Sequence, residues 1–303
     1  MLEMIVHIVI VLLFPPLLLG VINKTKAFFA GRKGAPFFQP YFDIAKLLRK
    51  GVAVSSTTSW VFWSGPVVGL AVVLAGSTIL PLGGLSPVFS FSGDFVVLAY
   101  LLALSRFLTG SSALDTGSAF EGMGTARELG FAVLTEPALF FVFLVLARLS
   151  GSFSLGLMLD GSRGSQLLSA ASAPEVMLVM ALFIILLAEN SRLPVDDPNT
   201  HLELTMIHEV MVLDHSGPLL GLIEYAASLK FFVFSSLVIG LLVPSGVLAA
   251  PVATLAFLAG LLLVAVVVGT VESVMARLRM YRVPNLLVAS ILLSAAAFII
   301  TMR

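Results

Sequence analysis

The chain has 303 residues, a mean hydropathy of +1.09 and only 11% charged residues, against about 25% in a soluble domain. Lys plus Arg and Asp plus Glu number 17 each, so the net charge is zero and nothing in the balance suggests nucleic acid as a partner. There is no cysteine, which excludes disulfides, thiolate iron–sulfur ligation and cysteine nucleophiles within the chain.

The opening run "MLEMIVHIVIVLLFPPLLLGVINKTK" has Glu3 before its apolar stretch and Lys24 and Lys26 after it. A signal peptide carries its positive residues first, so this run is expected to be a first transmembrane helix ending in the cytoplasm. Seven further apolar runs follow, giving eight expected spans at about 4–22, 60–80, 94–112, 122–148, 174–190, 217–243, 247–271 and 284–302. The expectation is an all-α, polytopic membrane protein forming a single transmembrane domain over 1–303 in the lipid bilayer.

Between the first two spans, "PFFQPYFDIAKLLRK" (36–50) is too short to cross. Tyr41, Ile44, Ala45 and Leu48 recur at helical spacing, and Pro40 suits a helix start. The pattern fits a short amphipathic helix in the membrane interface and equally an ordinary cytoplasmic loop helix. Lys and Arg concentrate in 23–59, at Arg192 and at Arg277, Arg279 and Arg282, whereas 81–93 and 244–250 have none. By the positive-inside rule both termini lie outside. No inverted repeat of the transporter kind is visible.

Ionisable residues inside spans are costly and are functional candidates. Glu121, Glu128 and Glu136 are spaced to share one face of the fourth span. Arg106 sits late in the third, Glu224 and Lys230 lie in the sixth, and Glu272 lies at the inner end of the seventh. Taken singly, each is as well explained by a satisfied structural pair or a snorkelling side chain. Taken together, carboxylates recurring in several spans with Lys and Arg form a set that can hold and pass protons.

The densest chemistry follows the fifth span, in "LLAENSRLPVDDPNTHLELTMIHEVMVLDHSG" (186–217). Arg192 follows Glu189 by three residues, close enough to pair if the helix continues, with Pro194 ending it. His201, His208 and His215 are heptad-spaced, but "HEVMV" lacks the second histidine of H-E-x-x-H, so a metal site is not expected. No nucleophile elbow and no phosphate-cradling glycine loop occur.

"ENSRLPVD" matches E-x-x-R-x-P-x-D and resembles the loop after the fifth helix in the subunit 1 family of respiratory complex I. "GRKGAPFFQPYFDIAKLLRK", "ARELG" and "VESVMARLRMYRVP" are similar to further segments of that family, in the same order. Where the quinone-dependent branch has P-F-D and a run of glutamates, this chain has Val195, Asn199 and His201, keeping only Glu203. "LDTGSAFEGMG" also departs from that branch. These forms resemble the hydrogenase branch, the membrane subunits of formate hydrogenlyase, hydrogenase-4 and related membrane-bound nickel–iron hydrogenases.

The resemblance implies a non-redox membrane anchor and coupling subunit of an ion-translocating oxidoreductase complex in a prokaryotic cytoplasmic (inner) membrane, not catalytic alone. Its implied partners are an iron–sulfur small subunit, a hydrogenase-like large subunit and antiporter-like membrane subunits. Nickel–iron and iron–sulfur centres would belong to those partners, with no cofactor in this chain. Glu128, Glu136, Glu189, Glu224, Lys230 and Glu272 would form the coupling path. Arg192, Asp196, Asp197, Glu203, His208, Glu209, Arg277 and Arg279 would form a docking loop. The competing expectations are the quinone-binding subunit of a complex-I-like dehydrogenase and a stand-alone ion or solute transporter.

Overall fold

A computed structural model describes residues 1–159, 173–196, 206–243, 245–246 and 248–302. Asp197, Glu203 and His201 lie outside the described residues. The described residues are helical, with α1 (Leu2–Leu13), α2 (Pro15–Phe29), α3 (Gln39–Leu48), α4 (Trp60–Ser77), α5 (Asp94–Asp115) and α6 (Ala119–Ser150) in the first half. The rest comprises α7 (Leu155–Met158), α8 (Ala173–Glu189), α9 (Gly217–Leu242), α10 (Ala250–Val274) and α11 (Val283–Thr301). Among the described residues six helices are long and apolar enough to cross a membrane, or seven if the bent pair α1–α2 is one span. Helix α8, 17 residues long, begins directly after residues outside the description and takes the place of the fifth expected span.

The first expected span is corrected from one straight helix to two, bent by 42°. Pro15 and Pro16 have no N–H to give the preceding turn, which breaks the ladder there. Two tyrosines satisfy the exposed carbonyls. The Tyr225 hydroxyl donates to Leu12 O at 2.8 Å, and the Tyr41 hydroxyl donates to Leu13 O. The break therefore draws α3 and α9 onto the α1–α2 elbow. Helix α3 itself buries no residue completely and leaves Phe42 and Leu48 exposed, as an element lying along an interface would.

The buried core is built of Leu98, Phe143, Leu182, Ile185, Phe231, Phe232 and Phe257 among others. The periphery is also apolar: Val133, Leu255, Leu263 and Leu292 are each more than 60% exposed, as expected where lipid is the solvent. Helices α4 and α5 approach so closely that a Cβ on Gly65 would stand 2.5 Å from Ser112 Cβ, the small-residue contact common between membrane helices. At the start of α9, Gly217 has φ +54° and lies against the Gly51 carbonyl, so no side chain fits.

One end of the bundle is polar. It carries α3, the 190–196 turn, the segment 206–216 with its 3-10 turn Glu209–Val212, and the segment 275–282. The opposite end carries the connections 78–93 and 151–159.

Candidate functional site

Helix α8 stops at Glu189 for a local reason. Ser191 N–H donates to Ala188 O at 3.1 Å and Arg192 N–H donates to Leu187 O at 2.8 Å, the paired bonds of a Schellman termination. Ser191 takes the left-handed position, φ +48°, that glycine usually fills. The reversal sends Glu189 and Arg192 in different directions, so the pairing expected on a continuing helix does not form.

Glu189 instead points into the bundle, where three other helices bring groups to its carboxylate. Arg106 of α5 gives Nη2 to both oxygens at 2.6 Å. Lys230 of α9 reaches Oε2 at 2.9 Å, and the Thr135 hydroxyl of α6 donates to Oε1 at 2.6 Å. Arg106 is shared further along α6: its Nη1 meets Glu136 Oε1 at 2.5 Å and its Nε stands 3.8 Å from Glu128 Oε1. Eight residues along a helix rise about 12 Å and return to nearly the same face, so one long guanidinium fits between the two glutamates. Arg106 and Glu189 are buried. The groups that meet directly here are two cations and three carboxylates, so Arg106 is shared among the carboxylates.

Two small cavities meet at this pair. One of about 80 Å³ is lined by Arg106, Glu128, Glu189, Arg192, His208 and Lys230, with apolar walls from α4 and α9. The other, about 40 Å³, is lined by Tyr100, Arg106, Glu136, Phe140 and Glu189 among others. Both are large and polar enough for water molecules.

A second node lies toward the polar end. The buried Glu272 pairs with Lys26 Nζ of α2 at 2.8 Å and with Arg192 Nη1 at 3.4 Å. Arg192 also lies over the Phe231 ring, 5.8 Å from its centroid. Glu224 stands within electrostatic reach of Arg192 and Asp43. Asp196 is 1% exposed. Its Oδ1 pairs with Arg277 at 2.7 Å, while Oδ2 accepts the N–H groups of Ile207 at 2.9 Å and His208 at 3.3 Å. Leu278 N–H closes the turn on Pro194 O at 2.9 Å.

Outside the spans, burial pushes Glu209 up to about 7, with the Glu224 and Asp196 carboxylates adding to the shift and Arg192 opposing it. Burial, with the Lys230 and Arg192 cations, holds His208 down to about 4 against the pull of Asp196. His215 is likewise held down to about 4, chiefly by burial. Its ring stacks on Phe62 with centroids 4.2 Å apart, and Nε2 is 3.0 Å from Ser112 Oγ. Glu121 accepts the Thr116 hydroxyl and the Asp214 N–H, tying α6 to the segment before α9. Glu121 thus has different partners from Glu128 and Glu136 despite the shared spacing.

The structure brings together Glu128, Glu136, Glu189 and Lys230 in one cluster, places Glu272 and Arg192 in another, and turns Asp196 and Arg277 toward each other. Arg279 is exposed. Sequence reasoning noticed Arg106 without seeing it as the hub, and took Lys26 only as a marker of topology. A lone arginine in an apolar span was the available signal for the first.

The NADH dehydrogenase family model matches residues 2–303. The chain is 31% identical over 294 residues to formate hydrogenlyase subunit 4 of Escherichia coli K12, covering 94% of this chain and 93% of that protein. It is 32% identical to hydrogenase-4 component C of the same organism, covering 78% and 74%. A chain of the archaeal membrane-bound sulfane sulfur reductase, a respiratory membrane complex, shares the fold with a TM-score of 0.78 at 18% identity, covering 99% of this chain and 98% of that one. The chain belongs to the NADH dehydrogenase family, that of complex I subunit 1.

Proposed function

We propose that this chain is the non-redox membrane anchor and coupling subunit of an ion-translocating, hydrogenase-type oxidoreductase complex. The observation that carries the reading is the Arg106 cluster, with one more carboxylate than cation, set between two water-sized cavities inside the bundle. Three carboxylates sharing two directly paired cations can take up a proton and give it up when the surrounding field changes. The full-length similarity to formate hydrogenlyase subunit 4 supports the hydrogenase-type assignment.

In this reading the polar end faces the cytoplasm, both termini lie outside, and the membrane is a prokaryotic inner membrane. An iron–sulfur subunit and a hydrogenase-like large subunit, carrying the nickel–iron and iron–sulfur centres, dock on the end formed by α3, 206–216 and 275–282. Their redox step displaces charge near Glu209, Arg192 and Asp196. Arg192 connects that end to Glu272 and lines the larger cavity, so a displacement there is felt at Glu189 and Lys230. Antiporter-like membrane subunits receive the disturbance.

Purification from native membranes in mild detergent tests the assignment. Iron–sulfur, hydrogenase-like and antiporter-like subunits are expected to accompany the chain, and turnover is expected without added quinone. Recovery as a homo-oligomer that moves a solute contradicts it. The quinone-binding alternative draws support from an NADH-quinone oxidoreductase subunit of Anaplasma phagocytophilum, 27% identical over 62% of this chain and 58% of that protein. An absolute need for quinone favours that alternative.

A further inference from the structure

The segment 23–59 carries seven cations and a single acidic residue, Asp43. Lys26 is taken by Glu272, and Lys24 donates to Lys33 O at 2.6 Å. Asp43 accepts from Gln39 Nε2 at 2.8 Å. Lys46, Arg49 and Lys50, at the end of α3, are exposed and make no ion pair among the described residues. A helix C-terminus favours cations in its last turn, but it does not account for bare aromatic rings in line with them.

Along α3 the apolar and cationic groups are divided by length. Tyr41, Ile44 and Leu47 are half-buried on the face turned toward α2 and α9. Phe38, Phe42, Lys46 and Arg49 recur at three- and four-residue spacing on the opposite face. Phe38 and Phe42 are 59% and 62% exposed. The anchors of α3 explain the division. Its far end meets the start of α9, where the Gly51 and Lys50 carbonyls lie against Gly217 and Leu47 lies against Gly221. Its near end meets the α1–α2 elbow, where Phe37 O lies against Gly20 and the Tyr41 hydroxyl donates to Leu13 O. Tyr225, which reaches the same elbow, is eight residues into α9, about 12 Å below its start. Helix α3 is therefore inclined, with its phenylalanines at hydrocarbon depth and its cations at the polar end.

We propose that this outer face of α3 binds an anionic phospholipid of the surrounding bilayer. Lys46 and Arg49, with Lys50 beside them, hold the phosphate, and the acyl chains descend over Phe42 and Phe38. Charge complementarity selects the headgroup, since a zwitterionic lipid brings its own cation toward the lysines. Depth selects a lipid over other anions. An acidic protein surface or a free phosphate would meet the cations and leave the two rings uncovered. The proposal does not depend on the coupling reading, and either stands if the other fails.

The test uses the full chain purified in a neutral detergent. It is mixed with equal amounts of phosphatidylglycerol and phosphatidylcholine bearing the same acyl chains, and the retained lipid is counted by native mass spectrometry. A several-fold preference for the anionic lipid is expected in the wild type, falling to near one in Lys46→Ala/Arg49→Ala. Arg32→Ala/Lys33→Ala removes as much charge from the neighbouring loop and should keep the preference, as should the charge-preserving Lys46→Arg/Arg49→Lys. Phe42→Ser should reduce the anionic lipid retained. If the alanine pair lowers the thermal midpoint in neutral detergent, Lys46→Gln/Arg49→Gln decides in its place. No preference in the wild type, or equal loss in the two alanine pairs, overturns the proposal. So does displacement of the lipid by inorganic phosphate at equal concentration, which would mark a site for free anions. Loss of peripheral subunits from the Lys46→Ala/Arg49→Ala complex with the lipid preference intact would make the surface a protein contact, and overturns it too.

Discussion

Arg106 Nη2 lies 2.6 Å from both carboxylate oxygens of Glu189, two residues 83 positions apart in sequence and both buried in the bundle. Removing one partner from a buried ion pair costs about 3–5 kcal/mol, because the other charge is left without compensation. Arg106→Ala is therefore expected to lower the thermal midpoint of the purified protein strongly, and Arg106→Ala/Glu189→Ala to recover part of the loss. The double-mutant cycle measures this. Additive losses would show that the pair has no coupling.

Ser191 occupies a left-handed position in the termination of α8. A non-glycine residue there carries a strain of about 1–3 kcal/mol. Ser191→Gly is expected to raise stability or leave it unchanged, and Ser191→Val to lower it, read as midpoint shifts in one detergent. A loss with glycine would mean that the Ser191 side chain contributes more than its backbone strain costs.

Glu209 and the two histidines act with opposite sign. Glu209 is pushed up to about 7, so the folded chain binds a proton more tightly than the unfolded one between the ordinary carboxylate range and that value. Its contribution to stability falls as pH rises through that window. His208 and His215 are held down to about 4, so their contribution is lost as pH falls from the ordinary histidine range toward that value. Glu209→Gln is thus expected to stabilise the protein relative to wild type more at pH 8 than at pH 5. Thermal midpoints at both pH values decide it, and a difference independent of pH would contradict the shift.

Arg192 and Arg279 separate folding from docking. Arg192 pairs with Glu272 and is mostly covered, whereas Arg279 is exposed on the same end. Arg279→Ala should leave the stability of the chain within about 0.5 kcal/mol, as for an ordinary surface change, while reducing the peripheral subunits that copurify. Arg192→Ala should lower stability itself. Equal, mild effects on both measures would remove the reason for placing the docking surface at this end.

The membrane class and most helices were legible because apolar runs report directly on the solvent a helix meets. The fourth expected span, 122–148, lies within α6, Ala119–Ser150. The bend at Pro15-Pro16 was written in the sequence but overridden by the continuity of the hydropathy around it. The glutamates at 128 and 136 were legible from helical spacing. Their common partner was not, since Arg106 to Glu189 and Lys26 to Glu272 are contacts between distant segments, and spacing within one helix carries no information about the next. The Glu189–Arg192 expectation failed on the left-handed turn at Ser191, which no glycine announced.

The coupling role of the charge cluster is tested most directly by the ion gradient formed in sealed vesicles by the Glu128→Gln/Glu136→Gln complex, with redox turnover measured in parallel. Glutamine keeps the size of glutamate and one acceptor oxygen but cannot release a proton, so assembly should survive. A gradient reduced to a small fraction of wild type in an assembled complex is predicted, with Glu121→Gln closer to wild type, because Glu121 is bound to Thr116 and to the Asp214 backbone rather than to Arg106. Turnover and gradient both at wild-type levels in the double variant would contradict the account.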